Sequence, residues 1–308
     1  MNEPEPGYRG RFAPSPSGLL HFGSLVAAVG SFLQARSQGG TWLVRMEDLD
    51  PPREQAGAAA GILADLEAFG LTWDGEVVYQ SERQPAYEDA LAALDALGLT
   101  YSCSCSRRDI AEAGSGGGSA YPGTCRGGAR HPDAALATRV RVPDGLIHFR
   151  DRLQGELIEN LAADVGDFIL RRRDRLIAYQ LAVVVDDAAQ EITEVVRGTD
   201  LLGSTARQIC LQQLLGLPTP TYMHLPIAVR PNGDKLSKQT GARPIRSAPH
   251  GRAIAEALRF LQHPPPPELD GAPPAELLSW GVASWAPDRL VGLEKIPWER
   301  PPALDAAQ

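Results

Sequence analysis

Two short stretches, more than two hundred positions apart, carry residue types that can handle a polyphosphate. The first is RFAPSPSGLLHFGS, residues 11–24. Pro14 and Pro16 fix φ and hold the chain extended, and Gly18 permits a close turn. His21, Gly23 and Ser24 then open an apolar run, LVAAVGSFLQA, that reads as a helix. A helix start presents unpaired N–H groups and the positive end of its dipole, a place for anionic oxygens. Gly23 lets a phosphate or nucleotide ring approach the backbone, and His21 can donate a hydrogen bond to a phosphoryl oxygen. This would be a nucleotide site without GxxxxGK[ST], a motif the chain lacks. The second stretch, NGDKLSKQTGA (232–242), sets Lys235 and Lys238 three apart in a glycine-flanked loop, with Ser237 between them. Two ammonium groups there suit a phosphate leaving group whose charge grows in the transition state. A lysine pair alone is an ordinary solvated feature, but the chain has only three lysines and two are here.

A third group is Cys103-x-Cys105, followed by a glycine-rich run and then Tyr121 and Cys125. Three thiolates and one further donor suit a tetrahedral zinc, although the spacing lacks the usual paired CxxC knuckles. The segment has almost no apolar residues in which free thiols could be buried. Tyr121 and His131 both compete for the fourth position. Such a metal would be structural, with no open position for chemistry. Cys210, on an amphipathic stretch, reads as a core residue.

The elements that must position these groups follow from periodicity. TWLVRMEDLD (41–50) starts β-rich and ends in carboxylates, as a parallel strand does at its C-terminal edge. AGAAAGILADLEAFGL (56–71) and QPAYEDALAALDALGL (84–99) have helical spacing closed by glycine. Alternating strand and helix predicts an α/β unit with a parallel sheet. Residues 101–133 break that pattern as an inserted knob whose tip, GSGGGS (114–119), reads as a flexible loop. Strand-like pieces follow at 137–142, 146–151 and 167–172. Long apolar runs then occupy 175–198, an amphipathic helix 200–217, and a proline-bounded helical segment 263–290.

The chain has 308 residues and a net charge of −8, which argues against a nonspecific nucleic-acid binder. Charge is uneven, however. Six arginines face three acidic residues between Cys103 and Arg141, whereas the tail from Gly251 has five basic and eight acidic residues. A local basic surface can still meet a phosphate backbone. No apolar run has membrane-spanning length, and the acidic, proline-containing N-terminus is unlike a signal peptide. With four cysteines, these features predict a cytoplasmic protein.

SGLLHFGS resembles the HIGH signature of class I aminoacyl-tRNA synthetases, and KLSKQ resembles their KMSKS loop. RFAPSPSGLLHFG with VRMEDLDPPRE is similar to the glutamyl subgroup, as are RDRLQG (150–155), GDFILRRRDRLIAYQLAVVVDD and VVRGTDLLGSTARQI. These matches run in order over about residues 8 to 240. After the lysine loop only about seventy residues remain, too few for anticodon-binding domains. Together with the Cys-x-Cys knob, that ending resembles the truncated glutamyl-queuosine tRNA(Asp) synthetases.

The resemblance implies a Rossmann-like catalytic domain in two halves (8–100 and 167–245), split by an inserted zinc-containing, acceptor-type subdomain (101–166). A short helical C-terminal region (246–308) would follow. It implies a ligase with ATP, L-glutamate and tRNA(Asp) bearing queuosine as partners, one structural Zn²⁺, Mg²⁺ arriving with ATP, no membrane partner and a monomeric state. By matched position, glutamate would lie among Arg11, Phe12, Ala13, Pro14, Ser15, Glu47, Tyr179 and Arg197. Glu47 would pair with the ammonium, Arg11 and Arg197 would offer planar forks to carboxylates, and Ser15 and Tyr179 would supply hydroxyls. ATP would lie against His21, Gly23, Ser24, Lys235, Ser237 and Lys238, with His21, Lys235 and Lys238 as the catalytic groups. Zinc would take Cys103, Cys105, Cys125 and, following the family, Tyr121. A truncated enzyme charging a tRNA 3′ end and an idle tRNA-binding relative are the competing readings. The second is disfavoured because the HFG and KLSK elements and the glutamate set are all present.

Overall fold

The computed structural model of the chain describes residues 7–113, 120–234 and 244–305. Lys235, Ser237 and Lys238 lie outside the described residues, as does the 114–119 tip. The chain opens with β1 (Arg9–Phe12), α1 (Phe22–Ser37) and β2 (Thr41–Met46), with β1 and β2 parallel. After α2 (Ala58–Ala68), β3 (Val78–Tyr79) joins β2, again in parallel. α3 (Gln84–Ala96) leads to β4 (Thr100–Cys103), α4 (Arg107–Ala113) and β5 (Ala137–Val140). A hairpin of β6 (Ile147–Asp151) and β7 (Gly155–Glu159) precedes α5 (Leu161–Asp164) and β8 (Ile169–Arg171). A second parallel unit follows: α6 (Tyr179–Ala189), β9 (Glu194–Gly198), α7 (Thr205–Leu215) and β10 (Thr221–Leu225). β11 (Ile227–Val229), α8 (His250–Phe260), α9 (Pro274–Ser284) and β12 (Lys295–Pro297) complete the order, with β12 parallel to β11.

The strand orders are β1-β2-β3 and β7-β6-β10-β9. The two sheets abut along β1 and β9, where the Thr193 N–H donates to Arg9 O at 3.0 Å and the Arg9 N–H to Thr193 Oγ1 at 2.9 Å. The parallel α/β arrangement predicted from the alternating pattern is therefore present. The β6–β7 hairpin, grouped with the insertion by its position in the sequence, bonds to β10 at Asp151–Tyr222 and extends the β9–β10 sheet. Conversely β8, grouped with the second catalytic half, completes the antiparallel sheet β4-β5-β8. Periodicity identifies a strand but not its neighbour, so the cut at 166/167 does not follow the sheets.

α1 runs through the centre of the first core, with Leu25, Val29 and Leu33 fully buried. It crosses β10 so closely that a Cβ at Gly30 would meet Leu225 Cδ1 and force that side chain to move. The C-terminal region closes this core. Phe22 stacks on Trp298 at 3.8 Å and meets Phe260 edge-on, and the Trp285 indole donates to Gln34 Oε1 at 2.8 Å. A second core gathers Tyr87, Leu181, Val183, Ile209 and Leu211 around α6 and α7, and Cys210 is buried in it. Among the described residues no helix is long and apolar enough to cross a membrane.

Candidate active site

Ligands in parallel α/β sheets bind beyond the carboxyl ends of the strands, where helices diverge. Here those ends are Phe12 of β1, Glu47 just after β2, Gly198 of β9 and Leu225 of β10, with the start of α1 facing them. A cavity of about 520 Å³ opens at this point. Arg11, Phe12, Ala13, Pro14, Ser15, Glu47, Tyr179 and Arg197 all line it, as do His21, Gly23 and Ser24. The residues matched to an amino acid and the described residues matched to a nucleotide thus share one cleft.

His21 is the N-cap of α1, and its Nδ1 accepts the Ser24 N–H at 3.3 Å. The neutral ring must then carry its proton on Nε2, which lies 3.2 Å from Ser24 Oγ. With the proton on Nε2, Ser24 Oγ is its acceptor, so the cap ties the His21 ring to the first turn of α1, a helix start suited to anionic oxygens.

Beneath the amino-acid end lies a buried charge network. Arg11 holds Asp187 through Nε (3.0 Å) and Nη2 (3.3 Å), and Arg45 Nη1 reaches the same carboxylate at 2.8 Å. Burial alone would raise Asp187, but Arg11 and Arg45 hold it below the ordinary carboxylate range. Asp186 accepts from Gln80, Tyr87 and Arg83. Glu47 is placed differently. Its nearest cation is Arg45 Nη2 at 3.7 Å, and its buried Oε1 has no hydrogen-bond partner among the described residues. Burial pushes the Glu47 carboxyl up to about 7 despite Arg45 and Arg11. An under-bonded carboxylate on a cavity wall is what an incoming ammonium would satisfy. Arg11 keeps Nη1 without an acceptor among the described residues.

Arg197 is buried, and each of its five N–H groups is used. Nε donates to His224 Nε2 (2.9 Å), Nη1 to Gln208 Oε1 (2.8 Å) and Tyr179 Oη (3.5 Å), and Nη2 to Thr205 Oγ1 (2.9 Å) and Leu201 O (3.3 Å). The fork expected from the sequence is therefore occupied by the protein itself. A ligand carboxylate must displace some of these partners.

A smaller cavity of about 350 Å³ adjoins the first, sharing Ser15, Glu47 and Arg53 and adding Asp50 and Glu54. Burial, then Asp48 and Asp50, hold Glu54 above its ordinary value. Asp187, Arg45, Asp151 and His224 were not singled out from the sequence. Asp187 and His224 carry one signal, polar groups inside or at the end of the apolar runs AVVVDD and YMHLPIAV, which normally marks buried, paired groups.

In the knob, the Sγ atoms of Cys103, Cys105 and Cys125 lie within 4.8 Å of one another, with Cys105 and Cys125 at 3.5 Å. A tetrahedral zinc with Zn–S bonds of about 2.3 Å places its sulfurs about 3.8 Å apart, so the set fits. The Tyr121 hydroxyl joins it, 3.4 Å from Cys103 Sγ and 3.7 Å from Cys105 Sγ, and accepts the Cys125 N–H at 2.9 Å. The His131 ring is not in the group; the His131 backbone N–H donates to Ser104 Oγ instead. Burial raises the Cys125 thiol, but backbone donors at Arg130 and Ser104 outweigh it and bring it to about 6, favouring thiolate. The scaffold fixes Tyr121 closely. Arg139 lies 3.8 Å over its ring, and Gly166, at φ +68°, packs against its backbone where a Cβ would lie 2.1 Å from the Tyr121 oxygen. Among the described residues, no other set of three or more His, Cys, Asp or Glu ligand atoms gathers this closely.

Residues 8–247 match the family described as tRNA synthetases class I (E and Q), catalytic domain. The chain is 55% identical over 283 residues to the glutamyl-Q tRNA(Asp) synthetase of Ectopseudomonas mendocina, covering 92% of this chain and 95% of that one. It is 57% identical over 278 residues to the protein of the same name from Thiobacillus denitrificans, covering 90% and 92%. The crystal structure of a glutamate tRNA ligase from Elizabethkingia meningosepticum, in complex with its amino acid, superposes with a TM-score of 0.68 at 27% identity. That match covers 77% of this chain but only 53% of the ligase, so the chain spans about half its length. A glutamate-tRNA synthetase from Elizabethkingia anophelis is similar at a TM-score of 0.67. The chain therefore belongs to the class I tRNA synthetases of the E and Q type and, within them, to the glutamyl-Q tRNA(Asp) synthetase family.

Proposed function

We propose that this chain activates L-glutamate with ATP and transfers it to the queuosine base of tRNA(Asp). The observation that carries this reading is the single cleft that gathers Arg11, Arg197 and Glu47, whose buried Oε1 has no hydrogen-bond partner among the described residues, beside the start of α1. An amino acid with a second carboxylate complements that set in charge.

The substrate carboxylate attacks the α-phosphate of ATP in line, giving glutamyl adenylate and pyrophosphate. No protein nucleophile is needed, so the chain's contribution is placement and charge. Glu47 takes the ammonium, Arg11 and Arg197 the carboxylates, and Ser15 and Tyr179 add hydroxyls. His21 and the N-terminal turn of α1 at Gly23 and Ser24 hold phosphate oxygens. Lys235, Ser237 and Lys238 follow the departing pyrophosphate. Mg²⁺ enters with the triphosphate. A hydroxyl of the queuosine cyclopentene ring then attacks the acyl carbon, and AMP leaves. Cys103, Cys105, Tyr121 and Cys125 would hold Zn²⁺, whose part is to brace the knob rather than to take part in the reaction. The same reading takes the enzyme to act as a cytoplasmic monomer.

Two assays test this. Glutamate-dependent exchange of pyrophosphate into ATP separates an enzyme from an idle tRNA binder. Transfer of labelled glutamate to tRNA(Asp) with and without queuosine, followed by mapping of the labelled nucleotide, separates base modification from 3′ charging. Label at the terminal adenosine, or equal transfer without queuosine, would overturn the proposal.

A further inference from the structure

Arg197 is held by two unlike sets of partners. Tyr179 and Leu201 line the cavity and make its two longest hydrogen bonds, 3.5 and 3.3 Å. His224, Gln208 and Thr205 do not line the cavity and make the three short ones, 2.8 to 2.9 Å. One short bond goes to Nε, one to Nη1 and one to Nη2, so the guanidinium plane is pinned at all three nitrogens from behind. The remaining Nη1 and Nη2 hydrogens face the cleft and are the weakly held ones.

The rear set is itself anchored. A guanidinium never accepts a hydrogen bond, so His224 Nε2 must accept from Arg197 and the His224 proton must sit on Nδ1. Nδ1 lies 2.6 Å from Asp151 Oδ2, while Asp151 Oδ1 takes the backbone N–H groups of Leu153 (3.0 Å) and Gln154 (2.9 Å). His224 and Asp151 are both buried, His224 completely. Gln208 is oriented in turn by its amide donating to Gln180 Oε1 at 3.0 Å.

We infer that the buried Asp151–His224 pair, with Thr205 and Gln208, is a clamp that aims the Nη1/Nη2 edge of Arg197 into the cleft to receive a substrate carboxylate end-on. His224 is a positioning residue: it touches Arg197 and not the substrate. The inference rests on the reading of the cleft as a glutamate site. On binding, the carboxylate replaces Tyr179 Oη and Leu201 O, and the three rear bonds remain. Exchanging two long hydrogen bonds to neutral oxygens for two to an ionised carboxylate favours the bound state without moving the arginine.

The test is glutamate-dependent pyrophosphate exchange by the full chain and three variants. His224→Leu removes the acceptor behind Nε, and its KM for glutamate should rise about 10- to 100-fold, the effect of losing one hydrogen bond to a charged group. The KM for ATP should stay within about twofold, a split that general unfolding would not produce. His224→Gln, whose amide oxygen can accept from Nε, should recover most of the loss. Thr205→Val, which removes a single rear acceptor on α7, should shift the glutamate KM in the same direction and serves if His224→Leu does not fold. Unchanged glutamate KM in His224→Leu or Thr205→Val, an equal rise in both KM values, or a His224→Gln variant as impaired as His224→Leu overturns the clamp. Absence of glutamate-dependent exchange by the unaltered chain instead overturns the reading of the cleft, and the clamp with it.

Discussion

Around Arg197 and Asp187, buried charge is held almost entirely by other side chains of the same chain, drawn from strands and helices far apart in sequence. Around Cys103, Cys105 and Cys125 the polar atoms converge on one another, and the hydrophobic side chains packed there among the described residues are Tyr121, Tyr101 and Ile110. The cleft sits between two large apolar cores that hold its arginines in place before any ligand arrives. Among its described residues the knob has no comparable core, and its cluster suits a metal that would add cohesion. The cleft is thus preorganised by packing, whereas the insertion rests on its small antiparallel sheet and on the polar contacts of Asp167 with Tyr101, Arg126 and Arg139.

The largest loss is expected at Arg11. Arg11→Ala should leave Asp187 half-paired in a buried setting, costing about 3–5 kcal/mol in urea unfolding. Glutamate-dependent exchange should drop more than about 100-fold. A variant as stable as the unaltered chain would show that the network is not what holds the cleft.

Glu47 gives the next largest effect, through pH. With its carboxyl near 7, Glu47 loses its ionised form as pH falls, the form that takes the ammonium in the proposed function. The KM for glutamate should be flat above pH 7 and rise about tenfold per unit below it. Glu47→Gln should show a higher KM with no such slope. Stability has the opposite sign. A carboxyl raised from 4.5 to about 7 by folding keeps a proton that the unfolded chain has lost, so stability falls as pH rises across that window. Glu47→Gln should remove that contribution, measurable as a flatter Tm profile.

Chelation, or Cys125→Ser, sharpens the contrast from the other side. Transfer to tRNA should fall about tenfold or more, and proteolysis should open the 101–133 segment. Glutamate-dependent exchange should remain within a few-fold. Equal loss of both activities would mean that the knob supports the cleft itself. Least affected should be the exposed Arg108–Glu112 pair on α4. Arg108→Ala should leave Tm unchanged, since such a pair gains little in water.

Much of the cleft was legible in the sequence, because its residues sit in short segments whose local chemistry is distinctive. The Pro–Pro–Gly turn into a helix start, and a carboxylate directly after a β-rich run, mark segments that the structure brings to one cavity. The knob's cysteines stood out for the same reason. What could not be read was partnership. The sequence offers Arg11 to a substrate, yet two of its three nitrogens belong to Asp187, 176 positions away. Arg197 also looked like an open fork, but a histidine 27 positions on accepts from its Nε. The proline-rich tail carried no local signal of its role, and it is Trp298 and Trp285 that tie it to α1.

The amino-acid sequence alone determined the types of chemistry present and the alternation of strand and helix, since both depend on neighbours within a few residues. Tertiary structure alone decided which strands join which sheet, which arginine edges remain for a ligand and which histidine tautomer stands behind Arg197. The reason is that a buried charge takes its state from whatever surrounds it in space. In this molecule those surroundings come from β1, β2, β6, β9, β10, α6 and α7 together.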